Sequence, residues 1–239
     1  MTEALLQTRP LASPARAQPL AEVIELRPSV PRLRGVSHEK AFAFAPALGL
    51  LLVVSAEGTR AVVAASVFAA TMMLMLGVSA ANHRVLLPSH WQPWLRRLDH
   101  TTVNLFLAGT WTSFALVILS GTTRLALTAV VCGGALTASL VTIVRVEVPG
   151  WIPATIGLAA GWSAVVVIPD LGAAVGPFGL GLFLAGGLLY TAGAVVYALR
   201  RPNPLPATLG YHEIFHALVL AGAACHYLAH ALFVLPLAS

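Results

Sequence analysis

The sequence predicts an all-α integral membrane bundle of seven transmembrane helices with its N-terminus in the cytoplasm. Three observations lead to this fold class. Apolar residues make up 58% of the 239 residues and charged residues 10%, whereas soluble domains carry about a quarter charged residues. The apolar residues fall into runs close to the ~20 residues with which a helix crosses a bilayer. Lys and Arg concentrate in alternate connections between these runs, as they do in membrane proteins.

The chain divides into two parts. Residues 1–36 are rich in Pro, Arg, Ala and Ser and are interpreted as a flexible cytoplasmic tail, and residues 37–239 as the seven-helix transmembrane domain. The predicted spans are, in order, residues 41–56, 61–83, 99–121, 124–144, 151–168, 178–199 and 213–235. The first and fifth are the shortest. Pro46 or Pro169 can bend or end them, so six spans is the alternative.

The basic residues set the predicted orientation. Twelve of the fourteen Lys and Arg lie in the tail and the even-numbered loops, and only Arg60 and Arg124 lie in the odd-numbered loops. This asymmetry is the positive-inside pattern. A net charge of +5 is therefore explained by membrane orientation, and no nucleic-acid partner is expected. Helical spans indicate a cell membrane, in a bacterium the inner membrane.

Ionisable residues at the ends of three spans form the candidate metal site. His83 ends the second predicted span, Asp99 opens the third, and His212 and His216 lie at the start of the seventh. In the predicted topology all these ends lie on the cytoplasmic side. Two histidines four residues apart share one helix face, a spacing at which two imidazoles bind one zinc ion. With His83 as third ligand, the sequence predicts a Zn²⁺ site; the alternative is that each histidine caps a helix or packs at the interface.

Asp99 and Ser79 are the candidate catalytic residues. An open three-histidine zinc site activates water for attack on an ester or amide carbonyl. Asp99 would then act as general base or orient the water. Ser79 precedes His83 by four residues, on the same helix face, where its hydroxyl would support the metal or bind a substrate carbonyl. The structural alternatives are an N-cap role for Asp99 and a packing role for Ser79.

The opening of the last span contains a second motif. The run His212-Glu213-Ile214-Phe215-His216 matches H-E-x-x-H, in which the Glu is the general base of a zinc protease. An intramembrane metalloprotease is therefore an alternative, although no suitable later Asp segment follows the motif.

Other ionisable residues carry less weight. His226 and His230 repeat the four-residue spacing further along the last span, without an obvious partner, and are interpreted as polar packing or interfacial residues. His38 and Glu39 precede the first predicted span and are expected beside the metal ligands rather than among them.

Three motifs together resemble the hemolysin III / progestin and adipoQ receptor family over nearly all of residues 38–239. They are Ser79-x-x-x-His83, then Arg97-Leu98-Asp99-His100 leading into Ala108-Gly109-Thr110, and His212-x-x-x-His216. The resemblance implies a seven-helix bundle with a cytoplasmic-side zinc held by the three histidines. It also implies that Asp99 and Ser79 stand at the positions of the family's Asp and Ser.

The chain departs from the family pattern in its third span and at the opening of its first. Trp111 and Ser113 stand where the family usually has a Tyr and a Pro, and the Asn/His-rich opening of the first span is replaced by residues 38–42. These differences bear on the identity of the substrate, because they leave the predicted metal ligands unchanged.

Three functions are compatible with these motifs. The first is a zinc-dependent hydrolase of lipid amide or acyl bonds, ceramidase-like as the resemblance implies, whose substrate arrives from the membrane. The second is a non-catalytic lipid-binding sensor or membrane-homeostasis protein whose zinc is structural and whose site is closed. The third, suggested only by the family name, is a pore-forming or haemolytic activity.

Overall fold

The computed structural model describes residues 31–85, 88, 90–144, 149 and 151–238. Within them, seven α-helices follow one another: α1 Val36–Val54, α2 Gly58–Arg84, α3 Gln92–Ile118, α4 Gly121–Val144, α5 Trp151–Trp162, α6 Ile168–Leu199 and α7 Tyr211–Ala229. A 3₁₀ turn, Ser163–Val167, joins α5 to α6. A π-helical turn, His230–Val234, and a 3₁₀ turn, Leu235–Ala238, extend α7.

Six helical stretches in the described residues are long and apolar enough to cross a membrane: Val36–Val54, Gly58–Arg84, Gln92–Ile118, Gly121–Val144, Trp151–Leu199 and Tyr211–Leu237. The all-α membrane bundle that the sequence predicts is therefore confirmed, whereas the count of seven spans and the cytoplasmic N-terminus stay predictions. Of the predicted tail, residues 1–30 lie outside the described residues, and residues 31–35 lead into α1.

The longest stretch, Trp151–Leu199, doubles back on itself. Gly176 has φ 68° and ψ −179°, which is not helical and which glycine adopts readily. A straight helix, rising about 1.5 Å per residue, would hold residues 162 and 191 about 43 Å apart. Instead, Nε1 of Trp162 donates a hydrogen bond to Oγ1 of Thr191 at 2.9 Å. The reversal is at Gly176 and not at Pro169, which lies in the first turn of α6, where proline is tolerated.

Several helices begin earlier than the hydropathy pattern predicts. α1 starts at Val36 rather than near residue 41, and α3 starts at Gln92 rather than near residue 99. Polar residues at these ends lower the hydropathy without interrupting backbone hydrogen bonding. His38 and Glu39 therefore lie inside α1, and α1 continues through Pro46.

The bundle packs in chain order and is closed by its first and last helices. Each helix contacts the next, and α1 also contacts α7. One apolar core joins α1, α2, α3 and α7 around Leu52, Phe68, Phe106 and Val219. Further large apolar side chains, such as Phe44 at 67% exposure, lie on the outer surface, as expected for a lipid-facing bundle. This arrangement brings the end of α2 beside the start of α7.

Candidate metal centre

The three predicted metal ligands lie together where α2 ends and α7 begins. His83 is in the last turn of α2, and His212 and His216 share one face of the first turns of α7. One nitrogen from each residue lies within 4.8 Å of the other two. Nε2 of His83 and Nε2 of His212 are 3.2 Å apart. These residues therefore form a cluster that could hold a metal ion.

The chemistry of this cluster fits zinc. Bonds of about 2.0–2.1 Å to a tetrahedral zinc place two ligand nitrogens about 3.3–3.4 Å apart, close to the spacing between His83 and His212. Nδ1 of His216 is buried and has no hydrogen-bond partner among the described residues. A buried imidazole that lacks a polar partner is costly. That zinc is the metal remains a prediction.

Asp99 reaches the cluster from α3. Its Oδ2 lies 3.3 Å from Nε2 of His83 and accepts a hydrogen bond from Nδ2 of Asn82 at 2.8 Å. The carboxylate is nearly fully buried, at 5% exposure, a state that such polar partners stabilise. Because α3 begins at Gln92, Asp99 lies within the helix and is not its N-cap. The N-cap alternative for this residue is therefore wrong.

Ser79 lies one turn before His83 and is bonded to a residue of α1. Its Oγ and Nδ1 of His38 are hydrogen-bonded at 2.8 Å. The imidazole of His38 is stacked on that of His216, with centroids 4.1 Å apart and planes 7° apart. The sequence placed His38 near the ligands but gave no signal for either contact, because both depend on how α1 packs against α2 and α7.

Glu213, the acid of the H-E-x-x-H motif, is engaged outside the cluster. One carboxylate oxygen is paired with Nε of Arg34. The other accepts a hydrogen bond from the backbone N–H of Gly210 at 2.7 Å. The second contact satisfies an amide at the start of α7, as the Glu of a capping box does. Glu213 therefore caps α7, and its ion pair with Arg34 links α7 to the segment before α1.

The segment before α1 covers the cluster at this end of the bundle. Its backbone is bonded to the loop before α7, with Arg32 N to Ala207 O at 3.1 Å and Leu33 N to Thr208 O at 3.2 Å. Gly35 has φ 74°, and a side chain there would collide with Cβ of His83. Only glycine fits this position without strain.

A cavity of about 100 Å³ extends from the cluster into the bundle. Its polar lining includes five of the residues described above and four others: His38, Ser79, Asp99, His212 and His216, with His100, Asn104, Tyr190 and Tyr197. Much of the remaining wall is apolar and includes Val103, Leu158, Ala194 and Val219. A second cavity of about 40 Å³ shares Leu107, Leu158 and Tyr190 with the first and continues along α5 and α6 to Leu171 and Phe183.

The second histidine pair lies in the packed interior, with His226 in the last turn of α7 and His230 at the start of the π-helical turn that extends it. His230 is hydrogen-bonded through Nε2 to Oγ of Ser113 at 2.7 Å and through Nδ1 to the carbonyl of His226 at 2.9 Å. Nε2 of His226 lies 3.3 Å from the carbonyl oxygen of Phe183. Both side chains are buried, so of the two interpretations of this pair, the structure favours polar packing over an interfacial position.

Comparison with known proteins agrees with the architecture. A family model described as haemolysin-III related matches residues 27–227. Hemolysin-3 of Bacillus cereus is 32% identical over 196 residues, which are 81% of this chain and 86% of the relative. The Hemolysin-3 homolog of Bacillus subtilis (strain 168) is 28% identical over 184 residues, 76% of this chain and 83% of the relative. No solved structure matches the chain significantly. The family match runs from the segment before α1 into the last turns of α7 and includes the whole histidine cluster, so the chain belongs to the haemolysin III-related family of multi-pass membrane proteins.

Proposed function

We propose that this protein is a zinc-dependent membrane hydrolase that cleaves lipid amide or acyl bonds. The observation that carries this proposal is that His212, His216 and Asp99 line one wall of a cavity with a largely apolar remainder. Bound at His83, His212 and His216, zinc would supply a Lewis acid and lower the pKa of a bound water beside that cavity.

The chain's own residues complete the proposed chemistry. Asp99 acts as general base, since its Oδ2 lies 3.3 Å from Nε2 of His83 at the cluster. It takes a proton from the attacking water and passes it to the leaving amine of an amide or the leaving alcohol of an ester. The hydrogen bond from Asn82 holds this carboxylate in place. Ser79, held by His38, donates a hydrogen bond to the substrate carbonyl oxygen as negative charge develops there.

The apolar walls define the class of substrate. Leu107, Leu158 and Val219 offer no hydrogen bonds, so they suit an alkyl chain. The candidate metal ligands His212 and His216 line this cavity together with Asp99, and Asn104 and Tyr190 add polar groups further along it. A lipid with an amide or ester at the end of its acyl chain would place its carbonyl at the histidines and its chain along α3, α5 and α6.

We further propose seven spans, with the N-terminus in the cytoplasm and the protein in the cell membrane, the inner membrane in a bacterium. The reversal at Gly176 divides the stretch Trp151–Leu199 into two legs. Each leg is about 35 Å long at 1.5 Å per residue, enough to cross a hydrocarbon core of about 30 Å. Two legs and five other stretches make seven spans, the count at which twelve of fourteen basic residues share one side.

A second candidate is a lipid-binding sensor in which zinc is structural. The separation of 3.3 Å between Oδ2 of Asp99 and Nε2 of His83 is also that of two ligands of one ion. A fourth bond from Asp99 would close the site and leave no position for water. The metalloprotease alternative has less support, because both carboxylate oxygens of Glu213 are engaged by Arg34 and Gly210.

Metal analysis and a hydrolysis assay on the same purified protein test both candidates. The variants are His83→Ala, His212→Ala and Asp99→Asn, assayed in detergent on a fluorescent N-acyl sphingosine. We expect about one zinc per chain in the wild type and almost none in either histidine variant. Asp99→Asn should keep the zinc and lose about 10²–10⁴-fold in rate, the usual contribution of a general base.

The outcomes separate the candidates. Zinc loss in Asp99→Asn would favour the closed, structural site. A wild type without zinc would remove both candidates together.

A further inference from the structure

His38 is placed in a way that simple packing does not explain. Its side chain is 1% exposed, and Nδ1 is hydrogen-bonded to Oγ of Ser79. Nε2 is buried with no hydrogen-bond partner among the described residues. A leucine would fill a similar volume without burying an unsatisfied nitrogen. The contacts of this imidazole with the site are therefore the feature to explain.

The stacking of His38 on His216 fixes the ring orientation of a predicted metal ligand. The two rings are nearly parallel, with centroids 4.1 Å apart. A parallel neighbour at this distance blocks rotation of the His216 ring out of its plane, since interiors are close-packed. Before a metal binds, no hydrogen bond at Nδ1 of His216 holds the ring in place, because this nitrogen is buried without a partner among the described residues.

His38 is one of three residues near the start of α1 that bear on the cluster. Gly35 lies directly against His83, and Arg34 is paired with Glu213, next to His212 in sequence. Together, Arg34, Gly35 and His38 contact residues of α2 and α7. The start of α1 and the two residues before it therefore contact both helices that carry the predicted ligands, although none of the three predicted ligands lies in α1.

We propose that His38 is a positioning residue of the metal centre, which orders the His216 imidazole by stacking before the metal binds. The inference rests on the metal-binding part of the proposed function. Partners that orient metal ligands typically contribute 10–100-fold to metal affinity. His38 does so through the face of the ring rather than through the hydrogen bond by which ligand imidazoles are usually oriented.

The zinc affinity of the full chain in detergent tests this role. It is measured by competition with a chromophoric chelator, and zinc alone is the probe. His38→Leu and His38→Gln both remove the aromatic ring, and the glutamine keeps a hydrogen-bonding group. Both should bind zinc about 10–100-fold more weakly than the wild type. His38→Phe keeps the stacked ring and should stay within about threefold of the wild type, a smaller loss than the about 10–100-fold expected of the other two variants.

A matched control separates positioning from general stability. His230→Phe replaces another fully buried histidine of the bundle, one that stacks on Phe114 with centroids 3.8 Å apart. It should leave zinc affinity unchanged even if the metal-free protein melts at a lower temperature. The absorption spectrum of bound Co²⁺ provides a second readout, which should change in His38→Leu and His38→Gln but not in His38→Phe.

The results distinguish this inference from the proposal on which it rests. Wild-type zinc affinity in folded His38→Leu or His38→Gln would overturn the positioning role while leaving the metal centre intact. Equal weakening in His38→Phe would also overturn it, because the hydrogen bond to Ser79 would then matter and the stacked ring would not. Absence of zinc from the wild type would instead remove the proposed function itself.

Discussion

The last helix carries two histidine pairs with the same spacing and different surroundings. His212 and His216 lie beside His83 and line a cavity. His226 and His230 lie further along α7, where their partners are backbone carbonyls and Ser113. Both pairs share a helix face at i and i+4, so spacing alone does not distinguish them.

The convergence of three imidazoles makes the difference, because Nδ1 of His226 is buried without a partner among the described residues just as Nδ1 of His216 is. His230 uses both nitrogens, one on Ser113 and one on a carbonyl, and its ring packs between Phe68 and Phe114. Nε2 of His212 faces another imidazole, that of His83, rather than a carbonyl or hydroxyl. Imidazoles that converge on one another leave their hydrogen-bonding capacity to be satisfied by something else, and a metal ion satisfies several at once.

Replacing one histidine in each pair should give the largest contrast. His216→Ala deletes one of three ligands, so zinc affinity should fall by more than about 100-fold, beyond the loss expected for an outer partner. His230→Phe should bind zinc like the wild type. Chelator competition on both purified variants measures the difference. A similar zinc loss in both would mean that the two pairs are not distinct.

Chelation should reveal the same contrast as a change in stability. A metal that binds only the folded protein stabilises it by about 2.7 kcal/mol when its free concentration is 100 times Kd. EDTA should therefore lower the melting temperature of the wild type and of His230→Phe. It should not change the melting temperature of His216→Ala. If chelator has no effect on zinc-loaded wild type, the cluster does not couple metal to folding.

The sequence alone could predict the fold class and the pair His212 and His216, since hydropathy and the i, i+4 spacing are local properties. His83 followed from the predicted topology, which puts the end of its span on the same side as the start of the last. The sequence placed the start of α1 near residue 41 because Glu39 and Lys40 lower the local hydropathy, whereas the helix begins at Val36. The prediction therefore left His38 outside the helix, although it lies within it. Its partners, Ser79 and His216, are 41 and 178 positions away in the chain, and no local pattern reports contacts between helices.

The sequence also could not predict which glycines of α6 lie against other side chains. One of them tests the packing of the second histidine pair. A Cβ at Gly186 would overlap the imidazole of His226, whereas a Cβ at Gly181 would meet no atom of the described residues within 4 Å. Gly186→Ala should cost about 1–3 kcal/mol through overpacking. Gly181→Ala should be neutral or slightly stabilising, because alanine favours helix. Thermal melts of both variants compare them, and zinc affinity should be unchanged in each. Equal stability of the two would show that the His226 ring moves freely.

The smallest effect should come from Glu213, which lies between the two ligands of α7 in sequence but is engaged elsewhere. Its carboxylate binds the Gly210 amide and Arg34, so Glu213→Gln keeps a cap acceptor and loses the ion pair. The expected cost is about 0.5–1 kcal/mol, typical of a cap or a partly exposed charge pair. Zinc content should stay at the wild-type level, and so should the rate of any lipid hydrolysis.

Glu213→Ala removes the acceptor as well and should cost about 1 kcal/mol more. Thermal unfolding of the two variants measures these stability costs. Zinc content and the hydrolysis rate are measured for both beside Asp99→Asn. If Glu213→Gln keeps its zinc but abolishes hydrolysis, Glu213 is the general base of an H-E-x-x-H site; if only Asp99→Asn does so, the base comes from α3 and the motif in α7 is a helix cap between two ligands.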